Sequence, residues 1–140
     1  MARKLDAAAL ARLRKRFEAI PERMRAKAKV EVENEANAMV EEMKRGAPVD
    51  DGDLQASIRA TDLSTDTWIR WKVSAGGEKT RKPVRNSAKG NAPFYDYALG
   101  VEHGTSDTPA QPFFYPTHRR RRKRFRARLA RELKKAAKEP

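Results

Sequence analysis

A long helical pattern with a sharp end lies in the first third of this 140-residue chain. Small or sulfur-containing apolar residues recur there every three to four positions, as on one face of an α-helix: Met24, Ala28, Val32, Ala36, Met39 and Met43. Gly46 stands where a helix C-cap is expected, and Pro48 cannot continue the helix. The sequence therefore predicts a helix over Glu22–Arg45. Its glutamates indicate the wetter positions: Glu31, Glu33, Glu35, Glu41 and Glu42.

A second, shorter stripe precedes this helix. Its apolar residues step by three or four and end before Pro21: Leu10, Leu13, Phe17 and Ile20. We therefore expect residues 1–21 to form an N-terminal helical arm. Charged residues interrupt this segment throughout, so it fits neither a signal peptide nor a membrane span. We expect cytoplasmic synthesis and no membrane partner.

An alternating pattern follows the long helix. Apolar and polar side chains alternate along Trp68–Ser74, which favours a β-strand. Ser57–Leu63 can pair with this strand through the polar connection Ser64–Asp66, which predicts a β-hairpin. We therefore expect an α+β fold in which a long N-terminal helix packs on a small antiparallel β-sheet.

The apolar content is low for a chain of this length. Leu, Ile, Val and Phe account for 23 of 140 residues, about 16 %, where roughly 20 % is the level below which a highly charged chain is suspected of disorder. Because the apolar residues are patterned, we predict one folded domain over residues 1–140. Its thin core indicates that it gains burial from neighbouring subunits.

Two stretches have no helical or strand periodicity. Gly76–Pro93 is too long for an ordinary connection, so we expect a mobile functional loop over residues 76–93. Phe94–Val101 restores apolar residues as a helix turn or a strand, and Gly104–Pro112 is predicted to be extended. Three prolines, Pro109, Pro112 and Pro116, bracket three aromatic residues and stiffen this strip: Phe113, Phe114 and Tyr115. This strip either docks on a partner or packs under its own C-terminal helix.

The net charge of +13 is concentrated at one end of the chain. Residues 117–140 hold 12 Arg and Lys against two Glu, which predicts a basic C-terminal helix with a thin apolar line at Phe125, Leu129 and Leu133. Its cationic run could be a solvated face, or could contact DNA phosphates or an acidic partner: Arg119, Arg120, Arg121, Arg122, Lys123 and Arg124. Because no DNA-reading motif is present, any DNA contact would be non-specific and salt-dependent.

The sequence offers no catalytic or metal-binding pattern. It has no cysteine, its two histidines stand apart from any nucleophile, and Asp50, Asp51 and Asp53 lack the spacing of a calcium loop. These aspartates are better explained as helix-capping residues. On a strand, the adjacent side chains of Glu102 and His103 would point to opposite faces, which argues against an acid–base pair. We therefore expect no enzyme, no cofactor and no metal.

Two segments together resemble a known family. Ala47–Ile58 reads APVDDGDLQASI, and Tyr97–Pro116 reads YALGVEHGTSDTPAQPFFYP. In this order, and followed by a basic helix, they are similar to the neck, head–tail joining or tail completion proteins of tailed bacteriophages. The resemblance covers roughly residues 25–138, and it departs at Asp51, where the family usually has Thr.

The resemblance implies a virion structural protein at the phage neck. It implies a ring, expected to have six copies, that joins the DNA-filled head to the tail and leaves a channel for DNA. Expected partners are other copies of the chain, a head-side connector or head-completion protein, and a tail terminator or tail tube protein. The resemblance and the aromatic strip together indicate these interface residues: Glu102, Gly104, Thr105, Pro112, Phe113, Phe114 and Tyr115.

Two alternative functions stay open at this point. One is a tail terminator of the same particle, which caps the tail tube before joining, because the sequence does not separate these two positions in the head–tail stack. The other is a non-specific nucleic-acid-binding protein that uses the basic helix. Sizing in solution would separate a ring from a monomeric or dimeric DNA-binding protein.

Overall fold

The computed structural model describes residues 7–18, 22–84 and 93–138. Five α-helices are formed by these residues: α1 Ala7–Glu18, α2 Glu22–Gly46, α3 Asp53–Ser57, α4 Tyr97–His103 and α5 Tyr115–Lys138. A 3-10 helix covers Glu78–Thr80. Four strands form two hairpins: β1 Arg59–Asp62, β2 Trp71–Ser74, β3 Arg81–Pro83 and β4 Phe94–Asp96. The chain thus has the α+β architecture that the sequence predicts.

Helix α2 provides the centre of the core. Its predicted apolar face is buried at Ala36, Met39 and Met43, and the Met43 side chain is completely inaccessible. The helix ends where predicted, and the Ala47 amide donates to the Met43 carbonyl oxygen at 2.9 Å. Four residues from later elements complete the core: Leu54, Ile58, Ala98 and Phe113.

The predicted hairpin is confirmed, with shorter strands. β1 and β2 pair antiparallel in a register from Arg59↔Ser74 to Asp62↔Trp71. Toward the turn, the Leu63 amide donates to the Arg70 carbonyl oxygen at 2.8 Å, so pairing continues beyond the strands. At the other end, helix α3 already includes Ser57, which is why β1 begins two residues later than predicted.

The range 76–93 contains more regular structure than the sequence indicates. Gly76 and Gly77 adopt positive φ angles, and the chain then forms the 3-10 helix and strand β3, paired with β4. Thr80 is fully buried, and the Gly77 amide donates to the Asp96 carboxylate at 2.9 Å. Three-residue strands are too short to show alternation, so periodicity missed them. Residues 85–92 lie outside the described residues, and the mobility of this loop stays a prediction.

Helix α5 lies antiparallel to α2. Contacts at its start involve the C-terminal half of α2, whereas Glu132 near its end approaches Lys27 near the start of α2, with 3.7 Å between Nζ and Oε2. The predicted apolar line on α5 is only half-buried. The buried residues of this helix are Thr117 and Ala136, which lie outside that line. Of the described residues in the N-terminal arm, Leu10 is exposed, while Ile20 and Pro21 lie outside the described ranges. Among the helices described, none is long and apolar enough to cross a membrane.

Candidate interaction surfaces

A single buried carboxylate organises the predicted interface segment. The segment predicted as a helix turn or a strand contains both, since β4 is followed directly by α4. Glu102 lies in the last turn of α4, whose N-terminus is capped by Asp96. Glu102 Oε2 accepts hydrogen bonds from the Phe113 and Phe114 amides at 2.8 and 2.9 Å. Glu102 Oε1 accepts one from the Tyr115 amide at 2.9 Å. The carboxylate therefore satisfies amides at the start of α5, where they lack helical partners.

The pKa of Glu102 reflects this arrangement. Burial raises the pKa, but the three backbone donors lower it by more, so the pKa lies below its ordinary value of 4.5. The carboxylate is therefore ionised at neutral pH. Its described hydrogen bonds are all within one subunit, and a role for Glu102 at a subunit interface stays a prediction.

A tight turn brings residues 113–115 back to Glu102. Gly104 ends α4 with a φ of +79°, and a Cβ on it would lie 2.9 Å from the Ala110 backbone nitrogen. Thr105 Oγ1 accepts from the Thr108 amide at 3.1 Å, and the Gln111 amide donates to the Val101 carbonyl oxygen at 2.8 Å. Gly104 and Thr105 therefore shape the return of the chain.

The aromatic strip is divided between core and surface. Phe113 is only 3 % exposed and packs in the core, whereas Tyr115 is 49 % exposed and Pro112 is also exposed. Phe114 is half-buried and meets the Phe113 ring edge-on, with centroids 6.3 Å apart. Of the two interpretations of this strip, packing within the subunit applies to Phe113, while Phe114 and Tyr115 are accessible to a partner.

Part of the basic run is neutralised by α2. Arg121 Nε lies 2.7 Å from Glu35 Oε1, and Arg121 Nη1 lies 2.6 Å from Glu42 Oε2. Arg120 also contacts Glu42, and Arg128 Nη2 lies 2.7 Å from Glu35 Oε2. Hydrogen bonds from Arg121 and Arg120 lower the pKa of Glu42, and those to Glu35 and Glu42 raise the pKa of Arg121.

The prediction that Glu35 occupies a wetter position is wrong. Its side chain is 6 % exposed, because the guanidinium groups of α5 cover it. The sequence carries a signal for this contact. Acidic residues seven apart on α2, Glu35 and Glu42, can meet basic residues seven apart on an antiparallel helix, Arg121 and Arg128.

Several other cations of α5, Arg124 and Arg131 among them, are exposed and have no described ion pair. Four of these exposed cations line one shallow depression, and we call these four the basic ridge: Arg119, Arg122, Lys123 and Arg126. Within the described residues, no carboxylate lies in salt-bridge range of these four side chains. The structure thus separates the basic helix into a paired side toward α2 and an unpaired side toward solvent.

A large open groove runs between α2, β2 and α5. Its volume is about 590 Å³. Its wall combines apolar and aromatic residues, cations, His118 and one carboxylate: Val32, Glu35, Ala36, Met39, Met43, Arg70, Trp71, Lys72, Val73, Phe114, Tyr115, His118, Arg122, Phe125 and Arg126. Trp71 contributes to this wall, and its Nε1 atom is buried and has no hydrogen-bond acceptor among the described residues. This groove, which we call the α2–α5 groove, was not anticipated from the sequence, because it combines side chains from three distant segments.

Of the aspartates predicted to cap a helix, Asp51 does so. Asp51 Oδ1 accepts from the Asp53 amide at 3.0 Å, at the start of α3. The Asp53 amide is also the main cause of the lowered pKa of Asp51, with a further contribution from Lys82. Across the described ranges, no group of His, Cys, Asp or Glu residues could hold a metal ion.

A protein-family model matches the part of the chain that contains α2, the two hairpins and α4. Residues 11–104 match the family model HK97-gp10_like, whose description is "Bacteriophage HK97-gp10, putative tail-component". The match includes α2, both hairpins and α4, and ends before the aromatic strip and the basic helix. Comparison with curated proteins and with solved structures found no match. The family model covers about two thirds of the chain, and the chain therefore belongs to the HK97-gp10-like family of tailed-phage structural components.

Proposed function

We propose that this protein forms a ring at the neck of a phage particle, where it joins the DNA-filled head to the tail. The observation that carries the proposal is the amount of apolar surface left uncovered on different elements. Phe94 is 70 % exposed on β4, and the second hairpin also exposes Val84 and Tyr95. The α2–α5 groove provides a second apolar surface. Surfaces of this kind on a small domain are typical of interaction sites.

Two different surfaces suit a ring. In a closed ring with one kind of subunit, one patch of each copy meets a different patch of the next copy. A ring of six copies is our working expectation from the family resemblance. Its two faces would contact a head-side connector or head-completion protein and a tail terminator or tail tube protein.

The basic ridge supports a channel for DNA. Its four cations have no described acidic partner, so they are available to DNA phosphates. Such contacts neutralise the phosphate backbone without reading the bases. We propose that the ridge contacts packaged DNA non-specifically, chiefly through Arg119 and Lys123, because Arg122 and Arg126 also line the α2–α5 groove. The paired arginines hold α5 on α2. No catalytic role is proposed.

The proposal is tested by removing the gene from the phage and supplying it again from a plasmid. Without the protein, filled heads and finished tails should accumulate separately in electron micrographs, and the plasmid should restore joined particles. Joined, infectious particles without the protein would contradict the proposal. A defect confined to tail length, with heads still joined, would instead support a tail terminator.

A non-specific nucleic-acid-binding protein is the second candidate, favoured by the same ridge. It predicts a monomer or dimer that coats DNA and is absent from particles. Mass photometry of the purified protein and immunoblots of purified particles separate the two candidates.

A further inference from the structure

The α2–α5 groove has the chemistry of a binding site for an acidic, apolar segment. Its wall is apolar at Met39, Trp71 and Phe125, and cations stand around it at Arg70, Lys72, Arg122 and Arg126. The described residues form no ion pair with any of these four cations. The one carboxylate in the wall, Glu35, has both oxygens occupied by Arg121 and Arg128. The groove is therefore positively charged and lacks a free acid.

The groove sets two requirements for an occupant. Its apolar wall favours an apolar side chain, and its unpaired cations favour a carboxylate.

One loop of this same chain has both properties. Val49 is 70 % exposed, and Asp50 beside it has no described side-chain partner. The buried Ala47 and the rigid Pro48 hold the loop in place, which lowers the entropy lost on docking. The tip of the first hairpin is a weaker match, since Leu63 is 39 % exposed and the Asp62 carboxylate already accepts from the Ser64 amide.

We propose that the Val49–Asp53 loop of one copy docks in the α2–α5 groove of the next copy. This inference rests on the proposed ring and identifies the two surfaces that meet in it. The loop and the groove are different surfaces of the chain, so the contact is heterologous and can repeat around a ring. The charges also explain how a chain of net charge +13 can associate with itself, because the loop places the Asp50 carboxylate against unpaired cations.

The absence of cysteine allows a direct cross-linking test. Val49→Cys and Arg126→Cys are made in separate chains with tags of different length, and both chains are supplied together during particle assembly. After mild oxidation, the proposal predicts a mixed disulfide dimer as the main cross-linked product. The matched control replaces Arg126→Cys with Thr65→Cys, an exposed position on the hairpin turn, and should give at least tenfold less mixed dimer.

The outcomes separate this inference from the proposed function. Particles that contain the protein at the neck but give no excess of the Val49–Arg126 product would overturn the docking of the loop and leave the ring intact. A cross-link from Arg126→Cys to another virion protein would also overturn it, because the groove would then belong to that partner. Absence of the protein from the neck would instead remove the proposed function.

A charge exchange provides an independent check. Asp50→Lys or Arg126→Glu alone should lower the yield of joined particles at least tenfold, because each places like charges against each other. Asp50→Lys combined with Arg126→Glu should recover most of that loss. Circular dichroism of the purified variants verifies that they fold, and failure of the double variant to recover while both singles fold would contradict a direct contact.

Discussion

At the scale of single residues, Glu102 shows how one side chain can fix the path of a long segment. Its carboxylate accepts three successive amides, from Phe113 to Tyr115, and so positions both the core ring of Phe113 and the start of α5. The sequence resemblance identified Glu102 but implied an approach to a neighbouring subunit. The described contacts give it a role inside the subunit, which a linear motif cannot reveal.

Glu102→Gln should destabilise the protein by about 2 kcal/mol, because the amide cannot accept from all three donors as a carboxylate does. Urea unfolding at pH 7 measures this difference. The control is Glu33→Gln, an exposed position on α2, which should change the free energy of unfolding by less than about 0.5 kcal/mol.

The effect of Glu102 should also depend on pH. Because its pKa is lower in the folded than in the unfolded protein, its contribution is present above the ordinary value of 4.5 and is lost as the pH falls through the folded value. The difference between the wild type and Glu102→Gln should therefore shrink at acidic pH. A difference that stays constant from pH 7 to pH 3 would contradict the assigned hydrogen bonds.

Gly76→Ala should be far more destabilising than Gly52→Ala, although both glycines have positive φ angles. A Cβ on Gly76 would lie 2.3 Å from Asp96 Oδ2, whereas a Cβ on Gly52 meets nothing within 4 Å. The strained backbone costs about 1–2 kcal/mol in either variant, and only Gly76→Ala also displaces Asp96 from the Gly77 amide. Equal losses in thermal unfolding would show that this close approach is unimportant.

At the scale of elements, α5 is attached by charge as much as by apolar packing. Its apolar line is half-buried, while Arg121 and Arg128 converge on the buried Glu35. A carboxylate in that position is stable only while cations cover it. The basic composition of α5 thus has two explanations, since one side holds the fold together and the other faces solvent.

Arg121→Gln should destabilise the protein by about 2 kcal/mol, below the 3–5 kcal/mol typical of a broken buried pair because Arg128 still neutralises Glu35. Arg122→Gln, the adjacent position without an ion pair, should change stability by less than about 0.5 kcal/mol. Urea unfolding of both variants checks whether α5 has a side that stabilises the fold and a side that does not. Similar losses for the two variants would mean that the ion pairs contribute little.

The elements that follow most directly from the sequence are those whose apolar pattern repeats over many residues. The extent of α2, its stop at Gly46 and the first hairpin follow from residue patterns alone. The second hairpin could not be predicted, because Arg81–Pro83 and Phe94–Asp96 are too short for alternation and pair across a gap of ten residues. The α2–α5 groove depends on which segments pack together, and no local pattern specifies that. The burial of Glu35 has a weaker signal, the matching seven-residue spacing of acids on α2 and arginines on α5.

At the scale of the whole molecule, the basic ridge predicts DNA contacts that depend on salt and ignore sequence. Changing its four cations, Arg119, Arg122, Lys123 and Arg126, to Gln should weaken duplex binding by the purified protein and flatten its salt dependence. Changing Arg121 alone should affect stability more than binding. If the wild type instead discriminated between duplex sequences a hundredfold or more, about 2.7 kcal/mol, the DNA-binding candidate would be favoured over the ring.

The most direct test of the neck ring is a cryo-EM reconstruction of the neck of the intact particle. We predict a ring of this fold between the head-side connector and the tail, with the second hairpin and the α2–α5 groove covered by neighbouring subunits or partners. We also predict that Arg119 and Lys123, the two cations of the basic ridge that do not line the groove, face the central channel. A neck without this fold, in particles that contain the protein elsewhere or lack it, would contradict the proposed ring.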